Sequence, residues 1–305
     1  MVKRAKQKQT DMSNVQIFVD TNMDITPAYA EEYNLKLLRT TTFKNYNLLT
    51  AYINTPNNLN DYYEEMHNPK NKYHTAAIPP AGYESAFAES FKEGKDILYL
   101  HFSGQCSTTA MNNINLAIRE LKKRFPKRKI FLVDTKQVCA GGRLIVQEVV
   151  KLVNNGNSLE EILDWCNTKI DKFALYFVVN DIKYMQRSGR VSKTSSAFGT
   201  ILNIKPISRV KDDGVIEVYN KVRGERAAAK QLLRYSIETA DRQELIKRGI
   251  VICDSGNEVM ADYLEELFKE EYGQDLEAVR TKINPVIGVH SGPGVFGVAF
   301  YANHR

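Results

Sequence analysis

The first half of the chain repeats one local pattern: a short apolar segment, a loop of small polar residues, and an amphipathic helical segment. Apolar segments at 15–20, 96–102 and 130–133 each run directly into a loop rich in Asp, Ser and Thr. Each loop is followed by a segment in which apolar residues recur every three or four positions, as in a helix. This alternation of strand and helix is typical of a parallel sheet covered on both faces. We therefore predict an α/β fold with a Rossmann-like parallel sheet in the N-terminal half.

The second half of the chain has a different pattern, in which strands follow one another before helices begin. Strand periodicity occurs at 175–179, 204–209 and 215–221, and an Asp-Asp-Gly turn joins the last two segments. We predict two domains, an N-terminal α/β domain at 14–171 and a C-terminal mixed α/β domain at 172–305.

Local signals mark the ends of several predicted helices. Thr26 and Pro27 are typical of an N-cap and a first helical residue, and Ser158 with Glu161 forms a capping box. We also predict that 35–43 forms a single second strand of the N-terminal domain.

The formal net charge of +6 is concentrated in two places. Four basic residues lie among the first ten, and we expect 1–13 to form a basic, flexible tail. A second basic cluster, at 119–129, is either the solvated end of a helix or a landing patch for an acidic partner or an anionic membrane surface. Because no recognition-helix pattern or RNA-binding motif is present, we predict no nucleic-acid partner.

The sequence shows no signal for secretion, membrane insertion or metal binding. No N-terminal apolar stretch resembles a signal peptide, and no run approaches the ~20 apolar residues needed to span a bilayer. The four cysteines, Cys106, Cys139, Cys166 and Cys253, show no metal-ligand spacing, so we expect free thiols and no metal site. With 43% hydrophobic residues to build a core, we predict a cytoplasmic globular protein.

Small hydroxyl residues at the predicted strand ends suit an anionic head group, although helix caps and turns use the same residues. The glycines at 292, 294 and 297 fit a dinucleotide-binding pattern, but too few residues follow them to build a βαβ unit. We therefore predict no nucleotide cofactor. Cys106, with His290 far downstream, leaves a thiol hydrolase open as an alternative function.

Seven segments, in order along the chain, resemble signatures of the DegV family, whose characterised members include the fatty-acid-binding subunits of bacterial fatty acid kinase. The segments are 20–27 (DTNMDITP), 101–109 (HFSGQCSTT), 134–142 (DTKQVCAGG), 184–192 (YMQRSGRVS), 202–207 (LNIKPI), 221–224 (KVRG) and 288–294 (GVHSGPG). One such match would be weak, whereas seven in register extend over nearly the whole chain.

The resemblance implies a buried apolar tunnel for a long-chain fatty acid, between the two domains or within the C-terminal, lipid-binding one. It places the carboxylate of the fatty acid beside Thr75 and Ser107, with His290 near the head group. A shift of one residue in the alignment would put Cys106 in place of Ser107. The residues after Thr75 depart from the family pattern, since Ala-Ala stands where the family has Ser-Gln.

The resemblance also implies a partner, a fatty acid kinase that supplies ATP and magnesium and phosphorylates the carboxylate. The chain itself would be non-catalytic and would bind no cofactor besides its fatty acid. Arg187 and Arg190 are expected at the rim of the site or on the kinase-docking surface, and Arg223 matches a family arginine implicated in that docking. A regulatory protein with a structural lipid is a further alternative. Candidate residues for the tunnel wall are Phe198, Ile201, Leu202, Ile204 and Phe296.

Overall fold

The strands form three sheets in the computed structural model, which describes residues 12–49, 56–191 and 203–304. The strands are β1 (Val15–Asp20), β2 (Lys36–Leu38), β3 (Thr41–Lys44), β4 (Asn47–Leu48), β5 (Tyr73–Ala76), β6 (Asp96–His101), β7 (Ile130–Asp134), β8 (Phe173–Val178), β9 (Ile204–Val210), β10 (Ile216–Arg223), β11 (Ile250–Asp254), β12 (Ala278–Lys282) and β13 (Phe296–Tyr301). The helices are α1 (Pro27–Glu32), α2 (Pro56–Glu65), α3 (Pro80–Lys92), α4 (Thr108–Arg124), α5 (Cys139–Asn154), α6 (Leu159–Lys169), α7 (Lys183–Arg187), α8 (Glu225–Thr239), α9 (Arg242–Arg248), α10 (Glu258–Tyr272) and α11 (Pro285–Ser291).

The first sheet confirms the predicted parallel architecture. Its strand order is β2-β1-β6-β7, and every neighbouring pair is parallel. All six residues of β1 are buried, as expected for a strand covered on both faces. Helices α3 and α4 cover one face, where Phe87 and Ile114 join Phe18 and Tyr99 in a hydrophobic core.

The second sheet is mixed, with the order β10-β9-β8-β13-β11-β12 and a parallel pair at β11 and β12. Helices α8 and α10 cover its outer face, and α5 packs on its inner face. Leu144 and Val149 of α5 also share a core with Ile17 and Leu98 of the first sheet, so α5 lies between the two sheets. The sheets fall on either side of residue 171, and the domain division there stays a prediction.

The single strand predicted at 35–43 is wrong. The chain instead forms β2, which pairs with β1, and then β3, which pairs with β5 in a third, antiparallel sheet of order β4-β3-β5. The change of pairing partner between Leu38 and Thr41 depends on long-range contacts that a local pattern does not contain. This third sheet positions part of the site, because Thr75 lies on β5 directly opposite Thr42.

The predicted helix caps are confirmed. Thr26 Oγ1 accepts a hydrogen bond from the backbone N–H of Tyr29, and the Ser158–Glu161 capping box is complete. Helices α7, α9 and α11 and strand β12 were not predicted, and α11 carries His290. Residues 1–11 of the predicted basic tail lie outside the described residues.

Candidate functional site

A cavity that is partly open to solvent lies where the three sheets meet, and the empty space there, including the part open to solvent, is about 840 Å³. Its wall is mostly apolar and takes residues from both halves of the chain rather than from 172–305 alone. Six of its apolar lining residues are Phe102, Val138, Leu175, Phe177, Ile216 and Val295.

Thr75 and His290 meet in this cavity although 215 positions separate them. Thr75 Oγ1 on β5 lies 3.1 Å from Nε2 of His290 at the end of α11. Burial, and then the positive charge of Arg190, lower the pKa of His290 to about 4, so the ring is neutral at pH 7. Its Nδ1 is buried and has no hydrogen-bond partner among the described residues. The pair therefore offers uncharged hydrogen-bonding groups to a ligand.

Helix α11 is held in place by two tyrosines of α2. Tyr62 Oη donates to the carbonyl oxygen of Pro285 at 3.1 Å, and Tyr63 Oη donates to that of Ile283 at 2.6 Å. A side chain at Gly288 would collide with the ring of Tyr63, since an added Cβ would lie 2.5 Å from its Oη. These contacts hold the backbone near His290 in a defined position.

Ser107 lines the same cavity as the N-cap of α4. Its Oγ accepts a hydrogen bond from the backbone N–H of Ala110 at 3.3 Å, so the hydroxyl hydrogen can still be donated to a ligand. Cys106, the alternative at this position, also lines the cavity, and its Sγ lies 3.8 Å from the carbonyl oxygen of Gly214. Burial raises the pKa of Cys106 to about 11.

The three predicted arginines lie in different environments. Arg190 lines the cavity, and its Nη1 donates to the carbonyl oxygen of Ser188 at 2.6 Å. Arg187 is exposed, and its guanidinium lies 4.6 Å from the ring centroid of Tyr184. Arg223 is exposed at the end of β10. The structure thus brings together four residues, which we name the polar cluster: Thr75, Ser107, Arg190 and His290.

Comparison with known proteins assigns the family. Residues 14–303 match the family model described as uncharacterised proteins of the DegV family. The chain belongs to the DegV family. Among its curated relatives, DegV domain-containing protein CPE0026 of Clostridium perfringens is 32% identical over 238 residues, which are 76% of this chain and 78% of that relative.

Two solved DegV structures share the fold. A fatty-acid-binding DegV family protein from Thermus thermophilus aligns with a TM-score of 0.81 and 22% identity, covering 95% of this chain and 99% of that one. A DegV lipid-binding protein from Thermotoga maritima aligns with a TM-score of 0.80 and 20% identity, covering 96% and 99%. The predicted α/β fold of the DegV type, with a parallel sheet in the N-terminal half and a mixed sheet in the C-terminal half, is therefore confirmed.

In this DegV chain, side chains in the loops after β1 and β7 are largely engaged inside the protein. Asp20 accepts hydrogen bonds from Tyr99 Oη at 2.9 Å and from the backbone N–H of Phe102 at 3.0 Å. Thr135 Oγ1 donates to the carbonyl oxygen of His101 at 2.8 Å. Asn22, from the loop after β1, does line the cavity, although sequence reasoning did not select it. The available signal was its position directly after a buried strand.

The predicted tunnel wall requires correction. Phe198, Ile201 and Leu202 lie outside the described residues. Phe296 is fully buried on the face of β13 that packs against α8 and α10, and its neighbour Val295 lines the cavity instead. Because side chains alternate between the faces of a strand, the prediction selected the wrong face of β13. Ile204, at the start of β9, is not among the lining residues.

Neither a membrane-spanning helix nor a cluster of metal ligands is found in the part of the chain that the structure describes. No helix there is long and apolar enough to cross a membrane. No group of three or more His, Cys, Asp or Glu side chains there is arranged to hold a metal ion.

Proposed function

We propose that the cavity binds a long-chain fatty acid and that the polar cluster holds its carboxylate for phosphorylation by a partner fatty acid kinase. The observation that carries this proposal is a mostly apolar cavity whose wall contains the polar cluster. The solved DegV proteins described as binding fatty acid or lipid support it through the shared fold. The chain itself acts as a non-catalytic carrier.

Affinity in this proposal comes mainly from the acyl tail. A sixteen-carbon acid has about a dozen methylene groups, and transfer of each from water into an apolar site is worth about 0.8 kcal/mol. The gross gain of about 10 kcal/mol must exceed the entropic cost of association. Lining residues such as Leu175, Phe177 and Val295 supply the apolar surface. The head group therefore needs only enough hydrogen bonds to replace its lost hydration.

The polar cluster has the donors that a carboxylate requires. If Nε2–H of His290 donates to Thr75 Oγ1, the hydroxyl hydrogen of Thr75 is free to donate to a carboxylate oxygen. Ser107 provides a second hydroxyl, and Arg190 provides positive charge. Charge-assisted hydrogen bonds of this kind contribute about 1.5–3 kcal/mol each. The cluster compensates the buried negative charge while using neutral hydroxyls that leave an oxygen reactive.

The kinase would transfer the γ-phosphoryl group of ATP to a carboxylate oxygen, giving an acyl phosphate and ADP. Arg187 and Arg223 are exposed and suit docking of an acidic kinase surface. Phosphoryl transfer with a cognate kinase tests this step, because a protein that holds lipid only as a structural ligand would give no acyl phosphate. Arg187→Ala and Arg223→Ala should slow transfer while leaving fatty acid affinity unchanged.

Binding itself is tested by native mass spectrometry of the purified protein and by palmitate titration. We expect a co-purifying acid of about 14–18 carbons, since that length supplies the required apolar area. Thr75→Val should weaken palmitate binding about tenfold or more through loss of one charge-assisted bond. Thr41→Val makes the same change on the other face of the third sheet and should leave affinity unchanged. Equal palmitate affinity in both variants and the parent protein would remove Thr75 from the site.

The thiol hydrolase is disfavoured by the pKa values of its two proposed catalytic groups. Its proton would have to pass from a Cys106 thiol with a pKa of about 11 to a His290 ring with a pKa of about 4. Nucleophilic cysteines instead have lowered pKa values. Rapid labelling of Cys106 by iodoacetamide at neutral pH, accompanied by loss of an esterase activity, would restore the hydrolase.

A further inference from the structure

The outer face of the third sheet is apolar and exposed. Phe43 and His74 face each other across β3 and β5 with stacked rings, whose centroids are 4.8 Å apart. Leu48 pairs with Phe43 on the other side and is 56% exposed. Tyr46, in the turn between β3 and β4, is 84% exposed. We name this set, Phe43, Tyr46, Leu48 and His74, the hairpin surface.

The turn that presents Tyr46 is unfavourable for a tyrosine. Asn45 and Tyr46 both have left-handed backbone conformations, with φ of 50° and 67°. Two-residue hairpin turns of this kind favour Asn followed by Gly, because a side chain at the second position is strained. A large aromatic residue is thus held in a strained backbone and projected into solvent. Neither local backbone preference nor burial accounts for Tyr46 at this position.

The segments that build the third sheet are basic. The stretches 36–49 and 66–79, which contain all three strands of this sheet, hold five Lys or Arg residues and no Asp or Glu. Lys72 lies beside the turn, since its backbone exchanges hydrogen bonds with Asn45. Lys44 forms an ion pair with Glu65 of α2 at 2.5 Å, and Arg39, Lys70 and Lys72 are exposed in the segments that lead into β3 and β5.

The hairpin surface also lies against the cavity. Side chains alternate along β5, so His74 faces outward while Thr75 faces inward to His290. The basic cluster at 119–129 is less suitable. It begins at Arg119, about 18 Å along α4 from Ser107, and the helix ends at Arg124, about 25 Å from Ser107. Lys123 and Arg124 of that cluster already form ion pairs with Glu120 and Glu84.

We propose that the hairpin surface docks on an anionic phospholipid bilayer. Tyr46 and Leu48 would enter the head-group layer, and the surrounding lysines would contact lipid phosphates. Tyrosine is enriched at the membrane–water interface, and basic residues beside such a site strengthen attraction to anionic lipids. The proposal deepens and partly rests on the proposed fatty acid site, since docking would bring Thr75 close to the layer where fatty acid carboxylates reside.

A bilayer fits this surface better than a protein does. Stable protein interfaces bury roughly 800 Å² on each partner, which two exposed apolar side chains on one small hairpin do not approach. Shallow insertion of an aromatic and an aliphatic side chain, assisted by lysines, matches reversible interfacial binding. The lack of carboxylates in 36–49 and 66–79 gives the charge complementarity that anionic lipid requires.

Co-sedimentation with vesicles tests the proposal. One vesicle set contains equal parts phosphatidylglycerol and phosphatidylcholine, and the other contains phosphatidylcholine alone. Tyr46→Gly should reduce binding to the anionic vesicles about tenfold, because it removes the inserted ring. The same substitution relieves the backbone strain, so thermal stability should hold or rise. Ile237→Ser, at an exposed apolar residue of α8 on the outer face of the second sheet, should bind vesicles as the parent protein does.

Charge provides a second, independent variant pair. Lys72→Gln should reduce anionic-vesicle binding about fivefold, whereas Lys122→Gln in the basic cluster should change it little. Unchanged vesicle binding in Tyr46→Gly and Lys72→Gln would overturn the proposal, as would binding of the hairpin to a kinase or to a second copy of this chain without any binding to vesicles. Palmitate titration without vesicles separates the two hypotheses. A parent protein that binds anionic vesicles but not palmitate would refute the fatty acid site alone, and one that binds palmitate but not anionic vesicles would refute the docking surface alone.

Discussion

The loop after β1 and the polar cluster use similar residue types, but their hydrogen-bonding atoms are engaged differently. Both carboxylate oxygens of Asp20 are occupied, one by Tyr99 and the other by the backbone of Phe102. In the polar cluster, Nδ1 of His290 has no partner among the described residues, and the Ser107 hydroxyl can still donate. Polar residues near a cavity therefore divide into those that stabilise the fold and those available to a ligand.

The largest effect that sharpens this comparison is expected at Asp20. Asp20→Ala leaves the buried Phe102 N–H and the Tyr99 hydroxyl without their acceptor, so we expect a loss of about 3 kcal/mol in the free energy of unfolding. Urea denaturation measures it, and the folded fraction should keep its palmitate affinity. Asp20→Asn is the control, because an amide can accept from Phe102 and donate to Tyr99. A large loss of affinity in folded Asp20→Ala would contradict the division.

Arg190 should show the opposite behaviour. Arg190→Ala removes positive charge from the cavity wall, and we expect palmitate affinity to fall by about 2 kcal/mol, roughly thirtyfold. The free energy of unfolding should change little, since Arg190 contributes mainly a bond to the backbone of Ser188. Arg187→Ala is the matched control from the same segment, because Arg187 is exposed and contacts Tyr184. Equal affinities in the two variants would place Arg190 outside the binding site.

Local sequence patterns predicted the elements whose signals are themselves local. The strands at 15–20 and 130–133 and the Ser158–Glu161 capping box lie where the pattern places them, because burial periodicity and capping involve neighbouring residues. The third sheet was not predicted, since its pairing of Thr42 with Thr75 joins distant segments.

The site was less accessible from local pattern than the fold. Thr75 and His290 carry no local mark of function, and only the family resemblance selected them. Arg187 and Arg190 could not be distinguished from the sequence. Arg187 ends the five-residue helix α7 and Arg190 lies three residues beyond it, and this spacing does not specify which side chain points into the cavity. The sequence placed Asn22 directly after a buried strand but did not indicate that its side chain lines the cavity. Which side chains line a cavity depends on how separate sheets meet, which local periodicity does not determine.

The pH dependence of stability tests the engaged carboxyl groups further. Burial raises the pKa of Asp20 to about 7 and that of Asp24 to about 8, so the folded chain binds more protons than the unfolded chain, and stability falls as the pH rises from about 4. Burial lowers the pKa of His101 and His290 to about 4, which gives the opposite slope up to pH 6.5. Above pH 6.5, the titration of Asp20 and Asp24 therefore dominates the pH dependence of the free energy of unfolding. We expect the free energy of unfolding to fall between about pH 6.5 and 8 by on the order of 1 kcal/mol.

Urea denaturation at a series of pH values measures this slope. Asp20→Asn should flatten it up to about pH 7, and Asp24→Asn should flatten it up to about pH 8, since each removes one titrating group. Asp213→Asn is the control, because the backbone N–H of Val215 lowers the pKa of this exposed carboxyl and keeps its titration outside the window. A double Asp20→Asn and Asp24→Asn variant that retained the full slope would show that other groups cause it.

The smallest expected effect distinguishes two serines that have the same structural role. Ser107 and Ser158 are both N-caps, of α4 and α6, so replacing either with alanine should cost about 1 kcal/mol in the free energy of unfolding. Only Ser107 lines the cavity, and only Ser107→Ala should weaken palmitate binding, by a few fold beyond any effect of stability. If Ser158→Ala weakened palmitate binding equally, the loss of affinity would come from the reduced stability of the fold. If neither did, the carboxylate would be held by Thr75, Arg190 and His290 alone, and the Ser107 hydroxyl would belong with the residues that stabilise the fold.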